Sequence, residues 1–384
     1  MCIICETKDV SKLKDYSELH ISWCDNVVEI PEEMINLRGI YVANCNNFRR
    51  VSDKFVNLEV LYFNVCPNLI EIPIIIGLKT LRCSSFIKIK HIPKELVNLT
   101  DLECSECPEI TEIPKELVKL KKFTCYWSQI KEIPKELINL TTLSCYNCPL
   151  LSPTGIPKEL VNLTWLRCDW CESLKEIPKE FTKLTFLRLW GCQNITQIPP
   201  ELVNLKRLDC HESSIKYIPK EFVNLEELHC DNSIYIKEIP DELINLRKLC
   251  CSGCIELTRI PKIDKIEFIS CVGCKNITII PFLAKLLEIY CSDCPKLTCI
   301  TSSNKNMYIS CHDCPELLFI PDNAILLDDC EPIEHKYQEY RKRMCSKLVS
   351  TILEELIQRT WEPKRAMEWC WDNDEKKFMN GIFT

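Results

Sequence analysis

Along most of the chain, apolar residues recur at fixed intervals. One stretch reads Leu99-x-x-Leu102-x-Cys104-x-x-Cys107-x-x-Ile110-x-x-Ile113-Pro114-x-x-Leu117-x-x-Leu120, with mostly polar residues between. The short alternation Leu102-x-Cys104 predicts one brief strand. The segment from Pro114 to Leu120 has proline where a helix can begin, so it predicts a turn or two of helix or 3₁₀ before the next strand. The next stretch repeats the pattern, and so short a period leaves no room for a longer helix.

The dipeptide Ile-Pro marks the period. It occurs at Ile30-Pro31, Ile72-Pro73, Ile92-Pro93, Ile113-Pro114 and onward to Ile320-Pro321, with Val51-Ser52 and Ile300-Thr301 filling two gaps. About fifteen units of 20–23 residues result. One such unit cannot bury its apolar side alone, whereas stacked copies can. The expected architecture is an α/β solenoid. A parallel sheet would line its concave face, and short helical or 3₁₀ segments its convex face. The solenoid is expected over 16–330, an N-terminal cap over 1–15 and a helical segment over 331–384. In that last segment Tyr337, Tyr340, Met344, Leu348, Ile352 and Leu356 recur every three or four residues, as on an amphipathic helix. It could cap the last rung or recruit a second protein.

This repeat resembles the leucine-rich repeat family over residues 16 to about 330. The resemblance implies a curved, non-enzymatic scaffold that binds a protein partner on its concave sheet. The phrasing Ile-Pro-Lys-Glu-Leu-Val-Asn-Leu, with cysteine in the core, is similar to leucine-rich repeat proteins of giant DNA viruses of amoebae. That narrower resemblance implies a partner in the host cytoplasm or the virion. The sequence departs from the family at the ladder position after the strand, where asparagine is usual. Here Cys24, Cys45, Cys66, Cys107, Cys148, Cys171, Cys192, Cys254, Cys274, Cys294 and Cys314 occupy it, with Ser128, Ser213, Ser233 and Phe86 in other units.

Composition narrows the function classes. With 46% hydrophobic and 27% charged residues the chain is expected to fold. A net charge of −7 gives no attraction to nucleic acid or anionic membrane. No apolar run is long enough to span a bilayer, and the opening Met1-Cys-Ile-Ile-Cys-Glu is too short for a signal peptide. The expectation is therefore a cytoplasmic, monomeric protein whose 29 cysteines are thiols. Only 7 glycines occur, which disfavours glycine-rich phosphate loops, and no cofactor or small-molecule substrate is expected.

The cysteines admit two readings. Cys271/Cys274 and Cys291/Cys294 match the spacing of a four-cysteine zinc site, so zinc binding or redox chemistry is one. The other is core packing, since the repeat wants a small buried residue at both positions. Ile21, Val42, Phe63 and Leu189 replace cysteine at the strand position in some units. A core residue exchanges with leucine and a metal ligand does not, so packing is preferred and no metal ligand is assigned.

Strand alternation turns the intervening positions toward the open face of the sheet. Five of the eight tryptophans fall at such positions: Trp23, Trp127, Trp165, Trp170 and Trp190. Tyr126, Tyr146, Phe186, Arg167, Arg188 and Asp169 lie among the last four. Aromatic and arginine residues dominate binding hot spots, so this set is the candidate partner-binding surface. Beside it Asp209 and His229 occupy equivalent places on adjacent rungs, as do His211 and Asp231. This secondary polar patch reads either as surface His–carboxylate pairing or as a metal or acid–base site, and the first is preferred. On the convex side Asn36, Asn57, Asn98, Asn139, Asn162, Asn204, Asn224 and Asn245 recur before a core leucine. They are expected to end each turn in the left-handed conformation.

Overall fold

A computed structural model describes residues 3–6, 10–85, 88–302, 304, 307–321 and 324–327. The segment 331–384, Cys2 and Phe86 lie outside the described residues. The chain forms two compact units, residues 1–235 and 236–384.

The first unit stacks parallel strands in chain order, one per repeat, from Glu18–Ser22 and Gly39–Ala43 to Trp165–Arg167, Phe186–Arg188, Arg207–Asp209 and Glu227–His229. The second unit continues the repeat. Lys248–Cys250, Phe268–Ser270, Glu288–Tyr290, Tyr308–Ser310 and Ile325–Leu326 pair in order, all parallel, and Ile279–Ile280 pairs with Cys299–Ile300 in a separate ladder. Equivalent residues pair throughout, as Leu166 with Leu187 and Leu187 with Leu208. Leu102, Cys104, Cys107, Ile110, Ile113, Leu117 and Leu120 are all buried, so the apolar pattern of the sequence is the core. The fold is thus a parallel β-solenoid. Among the described residues no helix is long and apolar enough to cross a membrane.

The return segments are not the short helices that the proline spacing suggests. Between Pro114 and Leu120 the chain makes two consecutive turns, Leu117 N–H to Pro114 C=O at 3.3 Å and Leu120 N–H to Leu117 C=O at 3.0 Å. The groups that would continue a helix are engaged across rungs. Lys121 and Lys122 donate to Thr100 C=O on the preceding rung, and Val118 C=O accepts from the Asn139 amide of the following one. Among the described residues, helix is confined to Ile3–Glu6 and the 3₁₀ turn Val10–Asp15.

The convex asparagines are not left-handed either. They form a ladder, each side-chain amide donating to a carbonyl of the preceding rung. Asn57 reaches Ile35 C=O, Asn98 Ile76, Asn139 Val118, Asn162 Ile138, Asn204 Thr182 and Asn224 Val203, at 2.8–3.3 Å. Where lysine replaces the asparagine, as at Lys119 and Lys183, its ammonium donates to the Oδ1 of the asparagine before it at 2.7 Å. The left-handed residue lies elsewhere, just before the ladder cysteine: Trp23, Asn44, Val65, Glu106, Trp127, Asn147 and Trp170 all have φ near +50°. Its N–H is turned to the next rung, where Trp127 N–H meets Tyr146 C=O at 3.0 Å and Trp170 N–H meets Trp190 C=O at 2.7 Å.

A second ladder runs inside. The thiols of Cys148, Cys171 and Cys192 donate to the carbonyls of Cys125, Cys145 and Cys168 on the preceding rung at 2.8–2.9 Å. Cys274, Cys294 and Cys314 repeat this in the second unit at 3.0–3.1 Å. Cysteine thus does from inside the stack what a side-chain donor is needed for at that position, at lower strength.

Candidate functional site

The candidate site is built by the rungs of Thr142–Ser144, Trp165–Arg167, Phe186–Arg188 and Arg207–Asp209 in the first unit. Parallel register sets Trp165 beside Phe186 and Arg167 beside Arg188. One rung on, Phe186 lies beside Arg207 and Arg188 beside Asp209. Leu166 and Leu187 point into the core, so their neighbours must face out.

The aromatic and guanidinium groups make three sets of contacts. Trp127 meets Tyr146 edge-on, with centroids 6.2 Å apart. Arg167 lies over the Tyr146 ring at 5.0 Å and Arg188 over Trp190 at 5.2 Å. Trp190 also lies 6.1 Å from Trp170 and 6.2 Å from His211. Across the paired strands, Trp165 and Phe186 stack at 4.9 Å with planes 5° apart. Tyr126 stands on the same face, with its phenol pushed up by burial.

Beneath the rings runs a line of alternating charge. Asp169 Oδ2 takes Arg167 Nε at 2.7 Å and Arg188 Nε at 3.1 Å. Arg188 Nε also lies 3.5 Å from Asp209 Oδ2. His211 then joins Asp209 through Nδ1 at 2.5 Å and Asp231 through Nε2 at 2.7 Å. Those hydrogen bonds, to Asp209 and then Asp231, push the His211 pKa up to about 9, so it is an imidazolium at neutral pH. Burial pushes the Asp209 carboxyl up, but the His211 hydrogen bond and the neighbouring cations outweigh it and hold the group below its ordinary value. For Asp169 burial wins over the two arginines and its pKa is raised.

These positions correct part of the sequence reading. Asp169, expected on the open face, is wholly buried against Arg167 and Arg188. Asp209 and His229 are buried as well, although alternation turns them outward. Arginine and imidazole side chains from adjacent rungs, about 4.8 Å away, close over these shorter groups. The expected equivalence of Asp209 with His229 holds in the register. The ion pairs, however, run from His211 to Asp209 and Asp231, and from His229 to Glu227 at 3.3 Å. Trp23 stands apart on the first rung. Sequence reasoning missed Arg207, whose guanidinium lies 5.7 Å from the Phe186 centroid and pairs with Glu227 at 3.0 Å. Its signal was available, since it holds the strand position of Trp165 and Phe186. Gly191 was missed too. An added Cβ there would come within 2.6–2.8 Å of the Trp170 ring, so the indole lies directly over this glycine.

Among the described residues no group of three or more His, Cys, Asp or Glu side chains is arranged to hold a metal ion. The Cys-x-x-Cys pairs are part of the inner ladder, and a thiol that donates to a carbonyl must keep its proton. Burial raises the Cys104 thiol, and pushes Cys66 up to about 11. Both effects oppose the thiolate that metal or redox chemistry requires at those positions; Cys145 and Cys314 go the other way, held below the usual thiol range by hydrogen bonds with Cys168 and Cys171 and with Cys291 and Cys294.

No protein-family model and no curated protein sequence matches the chain. Solved structures do match. The leucine-rich effector protein YopM of Yersinia pestis is 18% identical over 84% of this chain and 92% of its own, with a TM-score of 0.59. The functional domain of InlJ from Listeria monocytogenes, described as including a cysteine ladder, is 15% identical over 78% of this chain and 69% of its own, with a TM-score of 0.50. The leucine-rich repeat ectodomain of the Arabidopsis thaliana receptor kinase GASSHO1/SCHENGEN3, solved with CASPARIAN STRIP INTEGRITY FACTOR 2, is 18% identical with a TM-score of 0.48. The chain spans 80% of itself and half of that ectodomain. The likenesses to YopM and InlJ show the fold: the chain has the solenoid fold of leucine-rich repeat proteins.

Proposed function

We propose that the protein is a non-enzymatic interaction scaffold whose protein partner docks on the face carrying Trp127, Tyr146, Trp165, Arg167, Trp170, Phe186, Arg188 and Trp190, with Tyr126 at its margin. One observation carries the reading. Four tryptophans, Tyr146 and two arginines fall on four successive rungs, mostly at positions that strand alternation turns outward, and Trp127 is 55% exposed. Rigid aromatic area with few rotamers to freeze, interleaved with guanidinium groups, is the composition of protein-binding hot spots. Asp169, Asp209, His211 and Asp231 support that surface from beneath and beside it.

The wording of the repeat further supports membership among giant-virus leucine-rich repeat proteins. On that reading the protein acts as a monomer in the host cytoplasm, and its partner is a host protein or a virion component. The test compares capture from host lysate by wild type and by a Trp127/Trp165/Trp170/Trp190→Ala variant with unchanged circular dichroism. A protein retained by wild type and lost by the variant is expected. Equal retention by both would move the binding surface off this face.

A further inference from the structure

We propose that Arg167 and Arg188 form a carboxylate-recognition point, and that the segment docking there is acidic: an extended stretch of the partner presents an Asp or Glu side chain to both guanidinium groups. This deepens the reading of the same face as a protein-binding surface and rests on it.

The geometry carries it. The two arginines sit at equivalent positions on paired strands, so their side chains leave the sheet side by side. Arg167 donates its Nε–H to Oδ2 of the wholly buried Asp169 at 2.7 Å, and Arg188 Nε lies 3.1 Å from the same oxygen without a hydrogen bond. With its Nε edge on Asp169, Arg167 keeps its Nη edge for a ligand, and the two side chains are 33% and 25% exposed. Tyr146 and Trp190 hold the planes from the flank at 5.0 and 5.2 Å, so the forks are fixed before any ligand arrives. A planar fork presented in this way matches a carboxylate in two-point hydrogen bonding.

Beside this point one buried donor is unpartnered and the two nearest carboxylates are engaged. The Trp190 indole N–H is shielded from solvent and has no hydrogen-bond partner. The nearest carboxylates, Asp169 and Asp209, already hold Arg167, Arg188 and His211. A ligand that meets this point must bring acceptors. The apolar surfaces lie to either side: the stacked Trp165 and Phe186 precede the arginines by two residues on each strand, and Trp190 follows Arg188 by two. An extended segment with one acidic residue between apolar ones fits that order, because an acidic side chain over the arginines leaves its neighbours over the rings.

The test is a tryptophan-fluorescence titration with two probe peptides, acetyl-Leu-Glu-Leu-amide and acetyl-Leu-Gln-Leu-amide. The glutamate peptide is expected to bind roughly tenfold tighter, as one charge-assisted pair is worth. An Arg167→Gln/Arg188→Gln variant should lose that preference, while Arg188→Lys, which keeps the charge without the fork, should retain part of it. Equal binding of the two peptides, a preference that survives the double variant, or no saturable signal up to roughly 10 mM would each overturn the proposal. Inorganic phosphate that displaces the glutamate peptide at lower concentration than acetate would also overturn it, by assigning the point to a phosphorylated segment. The lysate comparison separates the two claims: a partner lost with the tryptophans yet kept by the double arginine variant leaves the scaffold standing and removes the carboxylate.

Discussion

Gly191→Ala measures whether the Trp170 indole lies where the fold puts it. The glycine has φ +69°, and an added Cβ would sit 2.6, 2.7 and 2.8 Å from Cδ2, Cε3 and Cε2 of the Trp170 ring. Two costs follow. The left-handed backbone penalises any Cβ by roughly 1–2 kcal/mol. The overlap adds about 1–2 kcal/mol, because the ring must shift and give up part of its packing on Trp190. Gly273 provides an internal control. Its φ is +71°, but an added Cβ would find only Gly253 N at 3.9 Å and Cα at 4.0 Å. Gly273→Ala should therefore show the backbone cost alone. In a Trp170→Ala background, Gly191→Ala should fall to the same value. The assay is urea unfolding followed by far-ultraviolet circular dichroism, with slopes compared so that a change in cooperativity is not mistaken for one in stability. If Gly191→Ala costs the same with and without the indole, Trp170 does not lie over that glycine. The surface drawn around Trp170 and Trp190 would then be wrong.

Three further perturbations probe other parts of the stack. Leu166→Ala removes a wholly buried side chain between two strand leucines and should cost about 2–5 kcal/mol by the same urea assay; a loss below about 1 would mean that Leu166 is not in the core. Asn162→Ala removes both its bond to Ile138 C=O and the acceptor for Lys183, so it should cost about 1–2 kcal/mol and speed amide exchange around residues 160–184; unchanged exchange would refute the ladder. His211 has a folded pKa of about 9 against roughly 6.5 unfolded, so its stabilisation is complete below about pH 6.5 and lost as pH rises through 9. The difference in urea midpoint between wild type and His211→Gln should shrink over that window from at most about 3 kcal/mol. The raised thiols are common to both proteins and cancel, and a pH-independent difference would contradict the ion pairs.

How far the sequence shows this fold depends on which rule governs each residue. Burial along the strands follows from the period alone, so Leu102, Leu166 and Leu208 were legible as core and Trp165 and Arg188 as outward. Register followed too, since identical units pair equivalent residues, and Asp209 lies beside His229 as read. Two things were hidden. Whether Pro114–Leu120 coils into helix depends on hydrogen bonds made by other rungs, to Thr100 and from Asn139, which no single unit contains. Exposure was the other. Alternation fixes the direction of a Cα–Cβ bond but not what closes over it, and Asp169 is covered by arginines from its own and the next rung.

The left-handed position supplies a second, independent argument about the binding face. The same backbone bond forms there whether the residue is Asn147, Trp127 or Gly191. Glycine, asparagine and aspartate suit that conformation, and they occupy it at Asn44, Asn147, Gly191, Asn232, Gly253, Gly273, Asp293 and Asp313. Tryptophan gains nothing from the backbone bond and carries strain that glycine would relieve, roughly 1–2 kcal/mol each. Trp170 recovers part of this by lying over Gly191, and Trp127 by its edge contact with Tyr146. Trp23 has the same strained backbone, φ 55°, and is 81% exposed, beside the stacked His20–Tyr41 pair. Val65, Ser85, Glu106 and Glu212 share that backbone, so strain alone does not mark a docking residue; exposure together with strain makes Trp23 the further position to test. Five rungs separate it from Trp127, roughly 24 Å, which about seven extended residues span. Trp23→Ala should therefore weaken capture of the same partner that the other tryptophans hold. Undiminished capture would confine the docking surface to the rungs from Trp127 to Trp190 and leave the strain at Trp23 unexplained.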